Sequence, residues 1–407
     1  MTATRIVAAT IAASLGAVAA VLLWRTEVPP GLELRPAAAE EEFGADVVRD
    51  AAAYARVARA LWLASVLAQL AALAVLVRRA SWLARRLPGP RAARSLALLL
   101  ASLGVVWAAR LPFGAAAHWW RRRHGLSEQG YADWLVDPWP EQLATVVAAA
   151  VALAAAVALA SRLGSRWWLA GGPALAAVAA ALVLAQPLVE SSRLEPLRDA
   201  ALEREVLTLG AAVGVPATAV VVEDASRRTT RVNAEVVGAG ATRRIVLWDT
   251  LLDGRLTPPE VRFVVAHELA HVGRRHVPKG LAWFALLSLP LAYVVARATR
   301  RRGGIGEPAA VPLAVLVVLL LQLALLPLEN AISRRYEAEA DWVALRATAD
   351  PDAARGVFRR FAAENLAQPE PPLWARVLLG SHPSLVERAG MAEAFRRDPG
   401  RRSPGGS

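Results

Sequence analysis

Apolar residues in this chain gather into long runs rather than into the short alternations or single-faced stripes of a water-soluble fold. Seven runs stand out: Ile6 to Trp24, Leu61 to Val77, Ser95 to Ala109, Leu143 to Ser161, Trp167 to Val189, Leu281 to Ala296 and Ala309 to Leu328. A helix needs about 20 mostly apolar residues to cross a bilayer, so these runs predict a multi-spanning membrane protein that is mainly α. The third run is short. Arg110 separates it from a further apolar stretch, Leu111 to Trp120, so its helix is expected to end further along or to lie tilted. The first run, with Arg5 ahead of an Ala-rich core, also has features of a secretory signal. No polar segment with a small-residue cleavage site follows before Trp24, and we read it as an uncleaved span.

Two polar stretches interrupt the pattern. The chain divides into a five-span region (1–189), a first polar half (190–280), two further spans (281–328), a second polar half (329–396) and a tail (397–407) rich in Arg, Gly, Pro and Ser that is expected to be disordered. Two spans between the polar halves return the chain to the side it left, so both halves can build one domain at one membrane face. Within the first half, Leu202, Val206 and Leu209 fall at helical spacing in Leu197 to Val213. Ala219 to Val222, Val232 to Val237 and Ile245 to Trp248 are short β-branched runs that predict a small antiparallel sheet. Thr257, Pro258 and Glu260 then supply an N-cap, a first-turn proline and a capping-box acid for a helix running toward His276.

Composition agrees with the pattern. Hydrophobic residues make up 56% of the 407, and the mean hydropathy is +0.36. The absence of cysteine excludes disulfides, thiolate metal sites and a cysteine nucleophile, so any metal must be held by His and carboxylates. A net charge of +12, nearly all from arginine, fits lipid-headgroup contact better than nucleic acid, for which no motif is present.

The predicted helix carries Ala266-His267-Glu268-Leu269-Ala270-His271, an H-E-x-x-H pattern. Its i, i+4 spacing sets both imidazoles on one face, where they can chelate one zinc ion per chain, with Glu268 beside them as a general base for peptide hydrolysis. The alternative of two surface histidines disagrees with the strong cap and with the acids described next. Gly273 and His276 stand two and five residues after His271, which excludes the metzincin extension and makes His276 a polar neighbour rather than a ligand. The best third ligand is Glu337, in Ser333-Arg334-Arg335-Tyr336-Glu337-Ala338-Glu339-Ala340-Asp341 directly after the last run. Asp341 shares its helix face and could orient a ligating histidine, whereas Glu339 points elsewhere.

Several blocks together resemble the type I CAAX prenyl proteases, with HtpX-type membrane peptidases as more distant relatives. They are His124-Gly125-Leu126-Ser127, Val232-Asn233-Ala234, Arg244 to Leu252, His267 to His276, Asn330 to Asp341, and Ser381-His382-Pro383-Ser384 with Glu387-Arg388. The resemblance implies about seven transmembrane helices around a chamber, closed at one membrane face by a gluzincin-like α+β catalytic domain. It implies that His267, His271 and Glu337 hold zinc, that Glu268 is the base and that Asp341 positions a ligand histidine. Asn233 would lie along the substrate, and His382 would help stabilise the oxyanion. Arg388 is expected to be an ion-pair partner, and His124 to be structural.

The resulting expectation is a multi-pass cell-membrane zinc metalloendopeptidase acting on peptide or membrane-protein substrates, with the lipid bilayer as its other partner and an oligomeric state that the sequence leaves open, a monomer being compatible with it. A quality-control protease of HtpX type is the nearer alternative, and a scaffold with a purely structural zinc the more distant one. Three protein ligands with an open fourth position favour catalysis over the scaffold. The active site is expected to face the cytoplasm, although arginines flank the spans at both ends.

Overall fold

The computed structural model describes residues 3–397 apart from residue 36 and residues 191–193, 216–218 and 238–242. In lipid every backbone group must find its partner within the chain, and the apolar runs accordingly become long helices. Up to residue 190 the chain forms α1 (Ala3–Trp24), short α2 (Ala39–Phe43), α3 (Ala45–Arg86), α4 (Arg91–Arg123), short α5 (Tyr131–Val136), α6 (Trp139–Leu163) and α7 (Trp168–Glu190). Among the described residues, five helical stretches are long and apolar enough to cross a membrane: Ala45–Arg86, Arg91–Arg123, Tyr131–Arg166, His276–Arg302 and Pro308–Thr348. Ser14–Trp24 and Trp168–Leu184 are shorter apolar helical stretches. The doubtful third run is resolved: Ser95 to Ala109 and Leu111 to Trp120 lie on one helix, α4, which continues through Arg110 and Pro112.

Helices α3 and α4 pack as an antiparallel hairpin whose turn includes Gly89 at φ 91, a left-handed conformation that suits glycine. At Gly172 in α7, a Cβ would meet the Leu289 Cα at 2.8 Å, so this small residue lets two membrane helices touch backbone to backbone.

The polar halves build a second layer. The first holds β1 (Leu194–Pro196), α8 (Ala200–Ala212), β2 (Ala219–Glu223), β3 (Ala234–Val237), β4 (Arg244–Trp248) and α9 (Pro258–Gly273). The sheet order is β1-β2-β4-β3, with β1 and β3 antiparallel to their neighbours and β2 parallel to β4. The expected antiparallel sheet is thus corrected to a mixed one. β4 inserts between β2 and the hairpin partner β3, and this leaves β3 as an edge strand.

Helix α9 begins as its cap predicts: the Thr257 N–H donates to Glu260 at 2.7 Å in a complete capping box. It ends at Gly273, one turn earlier than a helix reaching His276, because Arg275 adopts a left-handed φ of 56 and His276 opens a new helix, α10 (His276–Thr299). From α10 the chain passes to α11 (Val311–Thr348), then α12 (Pro351–Glu364), α13 (Leu373–Leu379) and α14 (Leu385–Arg397). Of the tail expected to be disordered, Arg397 ends α14 and residues 398–407 lie outside the described residues.

At 1.5 Å per residue, the 38 residues of α11 extend about 57 Å, nearly twice the thickness of a hydrocarbon core. The same continuous helix, which passes through Pro327 on its way, therefore carries Glu337 and Asp341 out of the apolar stretch into the polar layer. One core binds this layer together, joining Phe263, Val265 and Leu269 of α9, Ile245 and Leu247 of β4, Trp342 of α11, Phe358 of α12 and Phe395 of α14. Phe263 meets Phe358 edge-on at 5.7 Å, and Trp342 meets Phe395 edge-on at 5.6 Å.

Phe358→Ala is expected to remove about 3–5 kcal/mol from this layer and to lower the thermal midpoint of the detergent-solubilised protein by several degrees, as followed by near-UV circular dichroism. An unchanged midpoint would contradict a shared core between α9 and α12.

Candidate metal centre

Helix α9 is buried on nearly every face, so His267 and Glu268 sit inside the protein rather than on a solvated surface. The i, i+4 spacing brings the two Nε2 atoms of His267 and His271 to 3.1 Å. Glu337 arrives from α11, with its Oε2 3.2 Å from His267 Nε2 and its Oε1 3.6 Å from His271 Nε2. One ligand atom from each of the three lies within 4.8 Å of the other two. Bonds of about 2.0–2.1 Å at tetrahedral angles would set their ends about 3.3–3.4 Å apart, and the observed separations bracket that spacing. The buried Oε2 of Glu337 has no hydrogen-bond partner of acceptable geometry, although the ring nitrogens of His267 and His382 both lie 3.2 Å away. A cation held by three such atoms satisfies that oxygen, so the donor set fits a metal ion.

Each histidine ligand candidate is oriented from behind. The Nδ1–H of His267 donates to Asp341 at 2.9 Å, and Asp341 is gripped by both Nε and Nη2 of Arg388 at 2.7 Å. Arg388 also lies 4.5 Å from the ring centre of Phe358, which ties this pair to the core. His271 turns its Nδ1 to His276 at 2.9 Å. Glu339, though close in sequence, faces away from the three ligand atoms and pairs with His276 Nε2 at 3.0 Å.

Charge states follow from these contacts. Burial alone would depress His267, but the facing carboxylates of Asp341 and Glu337 outweigh it and hold the ring up at about 10, so a cation taken up at Nε2 would displace a proton from it. Burial dominates at His271 and pulls it down to about 3, leaving its ring neutral, as a ligand must be. Glu268 is pushed up to about 8, chiefly by burial, with Glu337 and Glu235 adding to the shift and His267 opposing it.

A cavity of about 300 Å³ opens over these groups, lined among others by Asn233, Glu235, Glu268, Phe263, His382 and Arg388. All seven residues singled out from sequence therefore converge: six line the cavity or face one another around it, and Asp341 stands directly behind His267. His382 is exposed toward the cavity, with its Nδ1 3.0 Å from the hydroxyl of Ser381. Asn233 precedes edge strand β3, and its carbonyl accepts from the Trp248 N–H at 3.3 Å. Its neighbour Val232 is clamped by Asn365, whose amide oxygen accepts from the Val232 N–H and whose amide nitrogen donates to the Val232 carbonyl, at 3.2 and 3.3 Å. Sequence reading missed Asn365, for a lone asparagine past a helix end carries no signal of a partner so distant in the chain. His118 and His124 stand elsewhere, packed among Tyr131 and Trp134, and Tyr54 and Trp120 respectively.

Comparison with known proteins agrees with the earlier resemblance. Residues 196–395 match Peptidase family M48. A Bacillus subtilis (strain 168) protein described as an uncharacterized metalloprotease, YhfN, is 34% identical over 247 residues, covering 58% of each chain. A rice CAAX prenyl protease 1 homolog is 27% identical, over 55% of this chain and 57% of its own. The chain thus matches somewhat over half the length of these curated relatives. The crystal structure of S. mikatae Ste24p superposes with a TM-score of 0.76 over 97% of this chain and 100% of its own, at 19% identity, so the two share a fold.

Arg388→Met is expected to cost about 3–5 kcal/mol, because it leaves the Asp341 carboxylate buried without its guanidinium partner. Chemical denaturation of the purified protein measures this, and a loss below about 1 kcal/mol would contradict a buried, mutually dependent pair.

Proposed function

We propose, on the premise that the chain is a membrane metallopeptidase of the CAAX-protease type with its Peptidase family M48 region at residues 196–395, that it is a zinc endopeptidase cutting peptides or membrane proteins. The convergence of His267, His271 and Glu337 beside a buried Glu268, under a cavity bordered by an edge strand, carries this reading.

Zinc held by those three residues would supply a Lewis acid that makes water nucleophilic at neutral pH and polarises a carbonyl. Glu268 takes a proton from the attacking water and returns it to the leaving amine, so that one peptide bond and one water become a carboxylic acid and an amine, which ionise in solution to a carboxylate and an ammonium. The substrate lies extended along β3, beside Asn233, because an edge strand offers unpaired backbone groups to a peptide in the same conformation. His382, facing the same cavity, donates to the oxygen on which negative charge develops. Asp341 does no chemistry itself; with Arg388 behind it, it fixes the ring of His267. The catalytic face is read as cytoplasmic, on the resemblance of the chain to the CAAX-type proteases and on the cluster of basic residues, Arg274, Arg275, Lys279 and Arg335, at that end of the spans.

Metal analysis of the detergent-purified protein, combined with cleavage of a quenched peptide library, tests the proposal. The parent is expected to hold about one zinc per chain and to cleave. Glu268→Gln should retain the metal yet cleave at least about 100-fold more slowly, and Glu337→Ala should lose both metal and cleavage. Parental cleavage by Glu268→Gln would overturn the assignment of the base, and a metal-loaded parent that cleaves nothing would overturn the peptidase.

A further inference from the structure

Behind His271 lies a second line of polar residues that the chemistry above leaves unused. His276, the first residue of α10, is buried, and its Nδ1 lies 2.9 Å from His271 Nδ1. Its other nitrogen, Nε2, lies 3.0 Å from Glu339 Oε2. Glu339 is buried as well, and its second oxygen, Oε1, accepts from the Glu27 backbone N–H at 2.8 Å. Lys279 Nζ stands 3.5 Å from Oε2, and Arg274 Nε 3.8 Å from Oε1.

The protons in this line can be ordered in one way if His271 is to bind metal. His271 turns Nε2 toward His267 and Glu337, so Nε2 must carry the free lone pair and Nδ1 the proton. His276 Nδ1 must then accept that proton's hydrogen bond, which leaves the proton of His276 on Nε2, aimed at Glu339. Glu339 Oε2 accepts that proton's hydrogen bond, and its other oxygen accepts from the Glu27 N–H. We infer that His271, His276 and Glu339 form a directional relay in which His276 is a positioning residue, fixing the tautomer and ring orientation of the second metal ligand. This inference rests on the metal reading of the site.

The relay serves His271 as the Asp341–Arg388 pair serves His267, but with an imidazole interposed between ligand and carboxylate. The geometry requires the extra ring. His271 faces the junction of α9 and α10, where the left-handed turn at Arg275 brings His276 back under the preceding helix. Glu339 sits two residues beyond Glu337 on α11, so its carboxylate points away from the ligand atoms and reaches His271 only through His276. His276 is held flat against the Tyr336 ring, at 4.7 Å and 8°, and the Tyr336 hydroxyl donates to the Leu23 carbonyl at 2.8 Å. Leu23 and Glu27, which brace the relay, lie outside residues 196–395.

Zinc affinity, measured on the full-length protein by competition with a chromophoric chelator, separates this role from mere packing. His276→Phe keeps a flat ring against Tyr336 but removes the acceptor, and it is expected to weaken zinc binding by about 10–100-fold. His276→Gln offers an amide oxygen to His271 and an amide N–H to Glu339, and should recover most of that loss. Glu339→Leu, which deletes the terminal acceptor, should fall in the same direction as His276→Phe and serves where the phenylalanine variant does not fold. Zinc affinity within about twofold of the parent in a folded His276→Phe or Glu339→Leu protein would overturn the relay while leaving the metal centre standing. A parent that binds no zinc would overturn both.

Discussion

A bilayer leaves no backbone hydrogen bond unmade, and from that constraint the position of this site follows. A chain that must cross as uninterrupted helix can deliver a side chain to a fixed height above the membrane simply by not stopping. α11 does so: its lower part is apolar and lipid-length, and the same helix, continuing past Pro327, carries Glu337, Glu339 and Asp341 into the polar layer. α10 reaches the same layer at its first residue, His276, and the buried α9 is held against both. The three candidate ligand atoms thus belong to helices rather than loops, and their spacing is set by helix geometry and by packing around Phe263, Trp342 and Phe358.

Charge is concentrated here at a cost that needs explanation. Taking Asp341 and Arg388 out of water costs several kcal/mol per ion, and their mutual attraction at best roughly offsets this. The pair therefore makes sense as an orienting device more than as a stabilising one. Its two short contacts leave Asp341 little freedom to turn, and His267 inherits that rigidity through one hydrogen bond. The same environment acts oppositely on the two histidines. His267, facing two carboxylates, is held up at about 10, while His271, whose burial is not offset to the same degree, falls to about 3.

Much of this was legible from local pattern. Thr257, Pro258 and Glu260 announced where α9 begins, and the H-E-x-x-H spacing together with the acids following the last apolar run pointed to the three residues that the fold brings together. These signals are readable because each lies within one helix, where spacing translates directly into direction. What escaped was set by the arrangement of separate segments. β-branched runs reveal strands but not the direction of their neighbours, and the parallel pairing of β2 with β4 arose because β4 lies between β2 and its own hairpin partner. The end of α9 at Gly273 depends on packing: a Cβ there would meet the Val213 carbonyl oxygen at 2.7 Å, so the glycine lets α8 close onto α9. Asn365 gave no warning of its grip on Val232, since no spacing rule relates residues so far apart.

The boundary of the recognisable region differs from the boundary of the physical site. Residues 196–395 contain every candidate ligand atom and the proposed base, yet the support of Glu339 is completed by the backbone of Glu27, and that of Tyr336 by the backbone of Leu23. Arg274 and Arg346 both reach Glu27 as well, so the segment after α1 is tied to α9 and α11 by side-chain ion pairs as well as by backbone contacts. A candidate metal centre that looks self-contained in sequence is thus braced from the far end of the chain. The brace lies on the His271 side, whereas the Asp341–Arg388 pair on the His267 side is supplied wholly within the region. Any displacement of the first helix would accordingly reach the two histidines unequally, loosening the setting of one ring while leaving the other gripped.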